Sequence, residues 1–450
     1  MDLPEAFRTR MAKQLGTEAG DFFDAYDAPP LHGLRLNPLK YTKEQLFAAL
    51  PFPLASAPFS PWSFYVPPGF KAGREPLHHA GAFYMQEPSA AAAVTALAPQ
   101  PGERVLDLCA APGGKSTQIA GALAGHGLLW SNEVVRGRAA ALLSNMERLG
   151  VRNAVVSSCR PDALCRALAG YFDRVLVDAP CSGEGMFRRD EQAVREWSPA
   201  HVQACAARQQ AILESACLAL RPGGVLAYST CTFSEAENEG VVTEFLRRHS
   251  GFSLVDCGLS NGHPALGGLA RRIYPMDGGE GHFVAVLRRE GRPVRLPAAP
   301  VPPASAQAMQ LCGELYREGL AGHPAQVGEK LYLLPEDLPA LAGLGVLRAG
   351  VLLGEVKTAR GKARGTAGGP RYVPAHAAFL AARPQQLRRC LCLERGDPRV
   401  LAFLHGEELA VSEDLCGWCG VAVAGAVLGF GKCSGGRLKN HYPKGLRLLG

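Results

Sequence analysis

The sequence predicts an α/β protein built on a mostly parallel sheet with helices on both faces. Short apolar runs alternate with helix-length segments between about residues 77 and 289, the pattern of repeated strand–helix–strand units. Several runs end in turns of small residues, Gly and Pro, which connect such units. The chain has 450 residues, 47% hydrophobic and 20% charged, and this globular balance excludes disorder throughout.

An N-terminal extension, residues 1–75, is predicted to mix helices and strands. Apolar residues recur at helical spacing near its start, and Leu34–Pro38 alternates apolar and polar side chains like a strand. Prolines between positions 51 and 68 predict a loop-rich stretch. The start lacks an apolar signal core, and no apolar run reaches the length of a membrane span, so we expect a cytoplasmic protein.

The central region, residues 76–290, carries the alternating pattern. Its first candidate helix is the alanine-rich Ser89–Leu97. The predicted strands are Arg104–Leu108, Gly127–Ser131, Ala154–Ser157, Arg174–Val177 and Gly224–Ser229. Ile273–Pro275 and His282–Leu287 flank a glycine-rich turn and predict a closing hairpin.

The rest of the chain divides into three parts. Residues 291–305 form a Pro/Ala linker, which should be extended. Residues 306–380 predict a small mixed domain with a basic, glycine-rich loop at Lys357–Arg371. Residues 381–450 combine short apolar strands with glycine turns and predict a small β-rich domain.

The positive charge is concentrated in the last third of the chain. Gly291–Gly450 holds 20 Lys and Arg against 12 Asp and Glu, whereas Met1–Glu290 holds 28 against 29. A near-neutral body with a basic C-terminal region indicates a polyanionic partner, and nucleic acid is the expected one. A solvated basic surface is the alternative, and charge alone does not exclude it.

The first motif with chemical content is a turn between a strand and a helix. It consists of Cys109, Ala110, Ala111, Pro112, Gly113, Gly114 and Lys115. Small residues let the backbone approach a ligand, and a helix N-terminus offers free N–H groups. A triphosphate loop needs glycine where Cys109 stands, and the spaced glycines of dinucleotide folds are missing. The turn therefore favours another adenosine-containing ligand, the alternative being a tight turn with no ligand.

A carboxylate completes this predicted site. Glu133 ends the next strand, 26 residues after Asp107. An acid at the end of the second strand can accept hydrogen bonds from two ribose hydroxyls.

Two further strands are followed by acid and thiol groups. Asp178 and Cys181 come directly after one strand, and Cys231 follows the next. Ligands of open α/β sheets bind at the carboxyl ends of strands, so these side chains should share one cleft. A turn aspartate and buried structural cysteines are the alternative.

An adenosine ligand, an acid and thiols together suit one reaction. A thiolate that adds to C6 of cytosine, while an acid protonates N3, makes C5 nucleophilic enough to take a methyl group from S-adenosylmethionine. Loss of the C5 proton and elimination of the thiol regenerate the enzyme.

Three segments together resemble the Nop/Sun family of RNA cytosine-C5 methyltransferases. They are VLDLCAAPGGKS at Val105–Ser116, VDAPCSG at Val177–Gly183 and YSTCT at Tyr228–Thr232. Other segments resemble further family motifs: Arg35-x-Asn37-x-x-Lys40, Tyr84-x-Gln86-Glu87 and RIYPMDGGEGHF at Arg272–Phe283. Leu438–Arg447 is similar to the bacterial 16S ribosomal RNA branch of the family.

The resemblance implies a Rossmann-like, seven-stranded catalytic domain that binds S-adenosylmethionine, with a PUA-like RNA-binding domain at the C-terminus. It implies that Cys109–Lys115, Glu133 and Asp178 contact or shape the cofactor site. Cys231 is the implied nucleophile and Cys181 assists product release. Asp178 is the implied acid at N3, and Lys115 reaches the base or its acid.

The sequence by itself does not decide the roles of the two cysteines or the residue that contacts the cofactor after the third strand. In DNA cytosine methyltransferases the cysteine of the Pro-Cys pair attacks, so Cys181 and Cys231 could exchange roles. The family often places an aspartate after the third strand, where Arg160 stands here with Asp162 two residues on.

The sequence thus predicts an S-adenosylmethionine-dependent RNA methyltransferase that makes 5-methylcytosine, with 16S ribosomal RNA as the expected substrate. We expect a monomer that binds neither membranes nor DNA. The alternatives are the same chemistry on transfer RNA, a non-catalytic ribosome assembly factor, and a methyltransferase acting on nitrogen or a small molecule. The last two have no use for Asp178, Cys181 and Cys231 together.

The C-terminal region offers two more candidates. Cys390-x-Cys392 and Cys416-x-x-Cys419 are an imperfect zinc pattern, so we expect thiols and no metal. Phosphate contacts are expected from Lys357–Arg371 and from a second basic set, the alternative being a solubilising surface. That set comprises Lys432, Arg437, Lys439, Lys444 and Arg447.

Overall fold

The N-terminal part of the chain forms a small antiparallel sheet flanked by helices. The fold is taken from a computed structural model, which describes residues 3–357 and 371–448. The N-terminal elements are α1 (Glu5–Leu15), α2 (Ala19–Asp27), β1 (Gly33–Leu36), α3 (Lys43–Ala49), β2 (Ala55–Ser56), β3 (Ser63–Tyr65), α4 (Pro76–His79) and β4 (Phe83–Met85). The strand order is β2-β3-β1-β4, so this sheet continues past residue 75.

The central region forms the alternating α/β unit that the sequence predicts. Its first half contains α5 (Ala92–Leu97), β5 (Arg104–Asp107), α6 (Gly114–Leu123), β6 (Leu128–Asn132), α7 (Arg136–Arg148), β7 (Ala154–Ser157) and α8 (Pro161–Ala167). Its second half contains β8 (Phe172–Asp178), α9 (Glu191–Glu196), α10 (Pro199–Ala219), β9 (Leu220–Thr230), α11 (Glu239–Arg248), β10 (Phe252–Val255), β11 (His263–Ala265), β12 (Ala270–Ile273) and β13 (His282–Arg289).

The strand order of the central sheet brings the predicted motifs together. β7, β6, β5, β8 and β9 lie side by side in that order and are parallel, while β13 is antiparallel and pairs with both β9 and β10. These seven strands are the predicted core. β12 and β13 form the predicted closing hairpin, with Ile273 opposite His282. The strands are apolar because helices cover both faces; Leu106, Trp130 and Val175 are completely buried.

The C-terminal part contains two further sheets. Its elements are α12 (Ala306–Leu315), β14 (His323–Val327), β15 (Lys330–Leu334), β16 (Val346–Ala349), β17 (Val351–Lys357), β18 (Arg371–Pro374), α13 (His376–Leu380), β19 (Cys390–Leu393), α14 (Pro398–His405), β20 (Leu409–Ala410), β21 (Gly417–Val423), β22 (Ala426–Ser434) and β23 (Arg437–Asn440). β14, β15, β17 and β18 form one sheet, and β19–β23 form the small β-rich domain. β16 joins neither, because it pairs antiparallel with β7 and extends the central sheet.

The two ends of the chain pack against each other. One apolar cluster contains residues of the N-terminal sheet, such as Leu34 and Phe83, together with Phe403 and Val421 of the C-terminal domain. Arg395 and Glu75 add an ion pair of 2.7 Å between the two parts. The N-terminal, central and C-terminal regions therefore meet along a common boundary. Among the helices of the described residues, none combines the length and apolarity that crossing a membrane requires.

Candidate active site

The predicted ligand-binding turn lies at the carboxyl edge of the central sheet. Gly113, with φ of 110°, adopts a backbone conformation that favours glycine and lets α6 begin directly after the strand. The turn lines a cavity of about 230 Å³. Its other walls come from Tyr84, Met85, Gln86, Ala90 and Asp178. Cys109, Ala110, Ala111, Pro112, Gly114 and Lys115 line this cavity, whereas Gly113 does not.

A buried arginine from the N-terminal region holds the turn in place. Arg35, 2% exposed, donates to the backbone oxygen of Gly114 at 2.5 Å and to Oγ1 of Thr117 at 2.6 Å. Its guanidinium also bonds to Gln86, which lines the cavity. In the sequence, Arg35 and Gln86 stand out only as parts of motifs that resemble the family. Nothing in those motifs predicts that the two residues support this turn.

Three carboxylates give this edge a negative character. Glu133 is 3% exposed and accepts from the backbone N–H of Val135 at 2.9 Å. Asp107 is fully buried; one oxygen accepts from Ser116 Oγ at 2.6 Å, and the other has no hydrogen-bond partner in the described structure. Burial, with a smaller contribution from Asp178 and Glu133, raises the pKa of Asp107 to about 7. The other two carboxylates have cationic partners, because Glu133 lies 3.2 Å from Arg138 and Asp178 lies 2.7 Å from Lys115.

Asp178 is held by a hydroxyl donor and a cation. Lys115 Nζ lies 2.7 Å from Oδ2 of Asp178, and Ser229 Oγ donates to Oδ1 at 2.7 Å. Burial by itself would raise the pKa of Asp178, but Lys115 and then His282 outweigh it and lower the pKa. His282 Nε2 lies 3.2 Å from Lys115 Nζ, and burial followed by this cation lowers the pKa of His282 to about 4. The site thus contains an ammonium–carboxylate pair beside a neutral imidazole.

The two predicted cysteines meet beside this pair. Asp178 and Ser229 are register partners on β8 and β9, so the turns after these strands lie next to each other. The Sγ atoms of Cys181 and Cys231 are 3.3 Å apart, and both residues are free, partly buried thiols. The hydrogen bond to Cys231, and after it burial, raises the pKa of Cys181 well above its ordinary value. Cys181 therefore remains protonated and can donate to the sulfur of Cys231.

A buried glutamate connects the segments that carry the two thiols. Glu237 accepts from the backbone N–H of Ser182 at 2.8 Å and lies 3.3 Å from Oγ1 of Thr232. Ser182 directly follows Cys181, and Thr232 directly follows Cys231. Glu237 lies on the loop before α11, in a stretch with no motif, so the sequence does not predict its role. The fold places its carboxylate against the residues that follow both cysteines.

Other predicted candidates lie away from this cavity. Arg160 and Asp162 are exposed and pair with each other at 3.1 Å, and neither lines the cavity. In the described residues, the group whose potential metal ligands converge is Glu214, Cys217 and His249, and it includes none of the C-terminal cysteines. In the C-terminal basic set, Lys432 lies 5.2 Å from the ring centre of Trp418. Most of the loop Lys357–Arg371, residues 358–370, lies outside the described residues.

Solved structures share this architecture. A methyltransferase homologue protein from Pyrococcus horikoshii is 29% identical, with a TM-score of 0.57 over 64% of this chain and 95% of that chain. NSun6 from Pyrococcus horikoshii, crystallised with SFG, has the same fold at a TM-score of 0.56 and 24% identity, over 64% of this chain and 99% of that chain. The fold and the carboxyl-edge site define an S-adenosylmethionine-dependent methyltransferase.

Family profiles and relatives cover nearly the whole chain. "16S rRNA methyltransferase RsmB/F" matches residues 94–288, and the RsmF N-terminal domain matches residues 3–88. The RsmF first C-terminal domain matches residues 310–360, and the "Methyltransferase RsmF PUA domain" matches residues 390–448.

"Ribosomal RNA small subunit methyltransferase F" of Escherichia fergusonii is 31% identical over 98% of this chain and 96% of that protein. The protein of the same name from Klebsiella pneumoniae is 33% identical with the same coverage. The chain belongs to the RsmB/F family of 16S rRNA methyltransferases.

Proposed function

We propose that this enzyme forms 5-methylcytosine in 16S ribosomal RNA through a transient bond between Cys231 and C6 of the target cytosine. The observation that carries the proposal is the 3.3 Å contact between the sulfurs of Cys181 and Cys231, beside the Lys115–Asp178 pair. Two adjacent thiols supply a nucleophile and a proton relay, and the Lys115 ammonium paired with the Asp178 carboxylate supplies the proton donor. The RNA substrate is inferred from the relatives named above.

The residues at the carboxyl edge fit S-adenosylmethionine. Cys109–Pro112 and Gly114 supply a wall of small residues. Glu133 does not line the cavity, but its buried carboxylate is the one that we assign to the ribose hydroxyls. The carboxylate of Asp178 lines the cavity and favours a cationic ligand. When bound, S-adenosylmethionine supplies a methyl group activated by a sulfonium.

Attack by Cys231 begins the reaction. Its sulfur accepts a hydrogen bond from the Cys181 thiol. Lys115 lies close enough to Cys231 that a negative charge on this sulfur raises the pKa of the Lys115 ammonium. Cys231 releases its thiol proton to solvent, and both groups stabilise the thiolate that remains. The C6–S bond forms as the Lys115–Asp178 pair delivers a proton to N3, and C5 becomes nucleophilic.

Release reverses these proton transfers. After C5 has gained the methyl group, N3 returns its proton to the Lys115–Asp178 pair. The Cys181 proton moves to the departing Cys231 sulfur, and the Cys181 sulfur takes the C5 proton, so the C6–S bond breaks and both cysteines end as thiols. The short Sγ–Sγ distance makes Cys181 the group best placed for this relay.

The remaining parts of the chain are assigned to RNA binding. We assign the N-terminal extension (1–75) and the PUA-like domain (381–450) to substrate positioning on either side of the catalytic domain (76–290). The linker (291–305) and the mixed domain (306–380) connect them. A PUA-like domain would hold folded RNA by backbone and shape. A monomeric, cytoplasmic enzyme belongs to the same proposal.

Bisulfite sequencing of 16S ribosomal RNA and transfer RNA tests the substrate. A strain lacking the gene should lose one or more 5-methylcytosines from 16S ribosomal RNA. The wild-type gene should restore them, and the Cys231→Ala variant should not. Loss of 5-methylcytosine from transfer RNA alone would move the proposal to transfer RNA, and no loss from either RNA would contradict it.

A further inference from the structure

A second, larger cavity lies where the three regions of the chain meet. Its volume is about 780 Å³. The N-terminal region contributes Pro38, Leu39, Lys40 and Trp62; the catalytic domain contributes the end of α6 and the segment before β7; the segment after α13 closes it. The end of α6 and the start of β7 place this cavity at the amino edge of the central sheet, whereas Cys181 and Cys231 lie at the carboxyl edge.

The described lining of this cavity is basic and contains no carboxylate. Arg152 is half-buried and makes neither a hydrogen bond nor an ion pair with any residue in 3–357 or 371–448. Arg383 uses Nε and Nη2 to donate to the backbone oxygen of Leu39 at 3.2 Å, which leaves its other N–H groups free. Lys40 is different, because its ammonium donates to the backbone oxygens of Ala80 and Arg148.

Two guanidinium groups without a counter-charge are unfavourable in the free protein. Burial, and then repulsion by Arg383, lowers the pKa of Arg152. A bound anion would remove this repulsion and complete the hydrogen bonds of both arginines. The cavity is therefore positively charged and suited to an anion. That anion would be a bound ligand, because the described lining supplies no carboxylate.

The non-ionic lining indicates which anion fits. Trp62 presents a partly buried aromatic ring, and Gln385 and Gln386 add amide groups. An aromatic face, amides and arginines are the combination by which proteins hold unpaired nucleotides. A volume of 780 Å³ exceeds the needs of a lone inorganic ion.

We propose that this cavity binds a phosphodiester of the RNA substrate, on Arg152 and Arg383, with the adjoining base against Trp62. This inference rests on the proposed function, because it assumes an RNA substrate. It goes beyond that function by adding an RNA contact on the edge of the sheet opposite the chemistry. Such a contact lies on the opposite edge from the target cytosine, so only RNA that extends well beyond the target nucleotide can reach it.

Arg152→Gln and the double variant Arg152→Gln/Arg383→Gln test the proposal in the full-length enzyme. With long 16S RNA fragments, the double variant should bind about tenfold more weakly and lower the slope of log Kd against log salt by about 0.7, the value for one lost phosphate contact on single-stranded RNA. Arg152→Gln should leave the melting temperature unchanged or higher, because it removes an unpaired charge. Arg160→Gln, an exposed arginine paired with Asp162, is the matched control.

The kinetics separate this site from the active site. The RNA KM of the double variant should rise with kcat unchanged, and Cys231 should still form its bond to RNA at saturating substrate. A short RNA limited to the nucleotides next to the target cytosine should bind both enzymes equally. Unchanged affinity and salt slope for the long RNA, in folded variants, would overturn the proposal. So would Arg152-dependent binding of a free nucleotide such as AMP without an effect on RNA binding.

Discussion

The two edges of the central sheet differ in whether their buried cations have a carboxylate partner. At the carboxyl edge, Lys115 is paired with Asp178, and Glu237 connects the residues that follow the two cysteines. At the amino edge, Arg152 faces Arg383 without a carboxylate in the described lining. The groups that we assign to the chemistry are held by partners within the chain, whereas Arg152 has none among the described residues.

This comparison predicts that the largest activity loss among the supporting residues follows neutralisation of Asp178. Asp178→Asn keeps the shape of the side chain but removes the carboxylate that forms the proton-donating pair with Lys115. We expect kcat to fall by about a thousandfold, within the usual range for a general acid. Single-turnover methylation of 16S RNA measures the effect, with Asp162→Asn as an exposed control. A loss of less than about tenfold would remove Asp178 from its role at N3.

The next effect concerns stability rather than rate. The pKa of Asp107 is raised to about 7 in the folded protein. The stabilisation that protonated Asp107 gives the folded state is therefore present at acidic pH and is lost as the pH rises through about 7. Asp107→Asn lacks this titration. Between pH 4 and pH 8 the unfolding free energy of the variant should therefore gain on the order of 3 kcal/mol relative to the wild type. Urea denaturation across this pH range measures the difference, and parallel curves would contradict the assignment.

A smaller activity loss is expected at Glu237. In Glu237→Gln one carboxylate oxygen becomes an N–H₂ group, which faces donors from Ser182 or Gln209 instead of accepting from them. The turns that carry the cysteines should loosen, and kcat should fall by about tenfold with little change in RNA KM. Glu235→Gln, an exposed neighbour, is the control. Equal rates for both variants would show that the connection does not position the thiols.

The smallest effect is expected at Arg160. Its side chain is 78% exposed and pairs with Asp162, and it lines neither cavity. Arg160→Gln should change kcat, the KM for S-adenosylmethionine and RNA affinity by less than about twofold. A larger increase in the cofactor KM would restore the alternative in which this turn contacts S-adenosylmethionine.

The sequence predicted the carboxyl edge well because each of its parts is local. Asp178, Cys181 and Cys231 directly follow strands, and parallel strands in neighbouring positions must bring such residues together. The closing hairpin was predicted for the same reason, from two strand-like runs around a glycine-rich turn.

The rest depends on how distant regions dock. Arg35 supports a turn about 80 residues away, and Arg152 meets a residue more than 200 positions further along the chain. β16 comes from the C-terminal part of the chain and pairs with β7 of the central sheet. Its sequence pattern does not indicate which strand it pairs with. Contacts of this kind depend on tertiary packing and not on local spacing, so residues in the sequence alone could not indicate them.

The juxtaposition of the two thiols is tested most directly by trapping the bond to RNA. Cys181→Ala, incubated with 16S RNA and S-adenosylmethionine, should accumulate a protein–RNA adduct, and mass spectrometry of the nuclease- and protease-digested complex should locate the nucleotide on Cys231. The Cys181→Ala/Cys231→Ala double variant should form none. An adduct on another residue, or an adduct that persists in the double variant, would contradict the account.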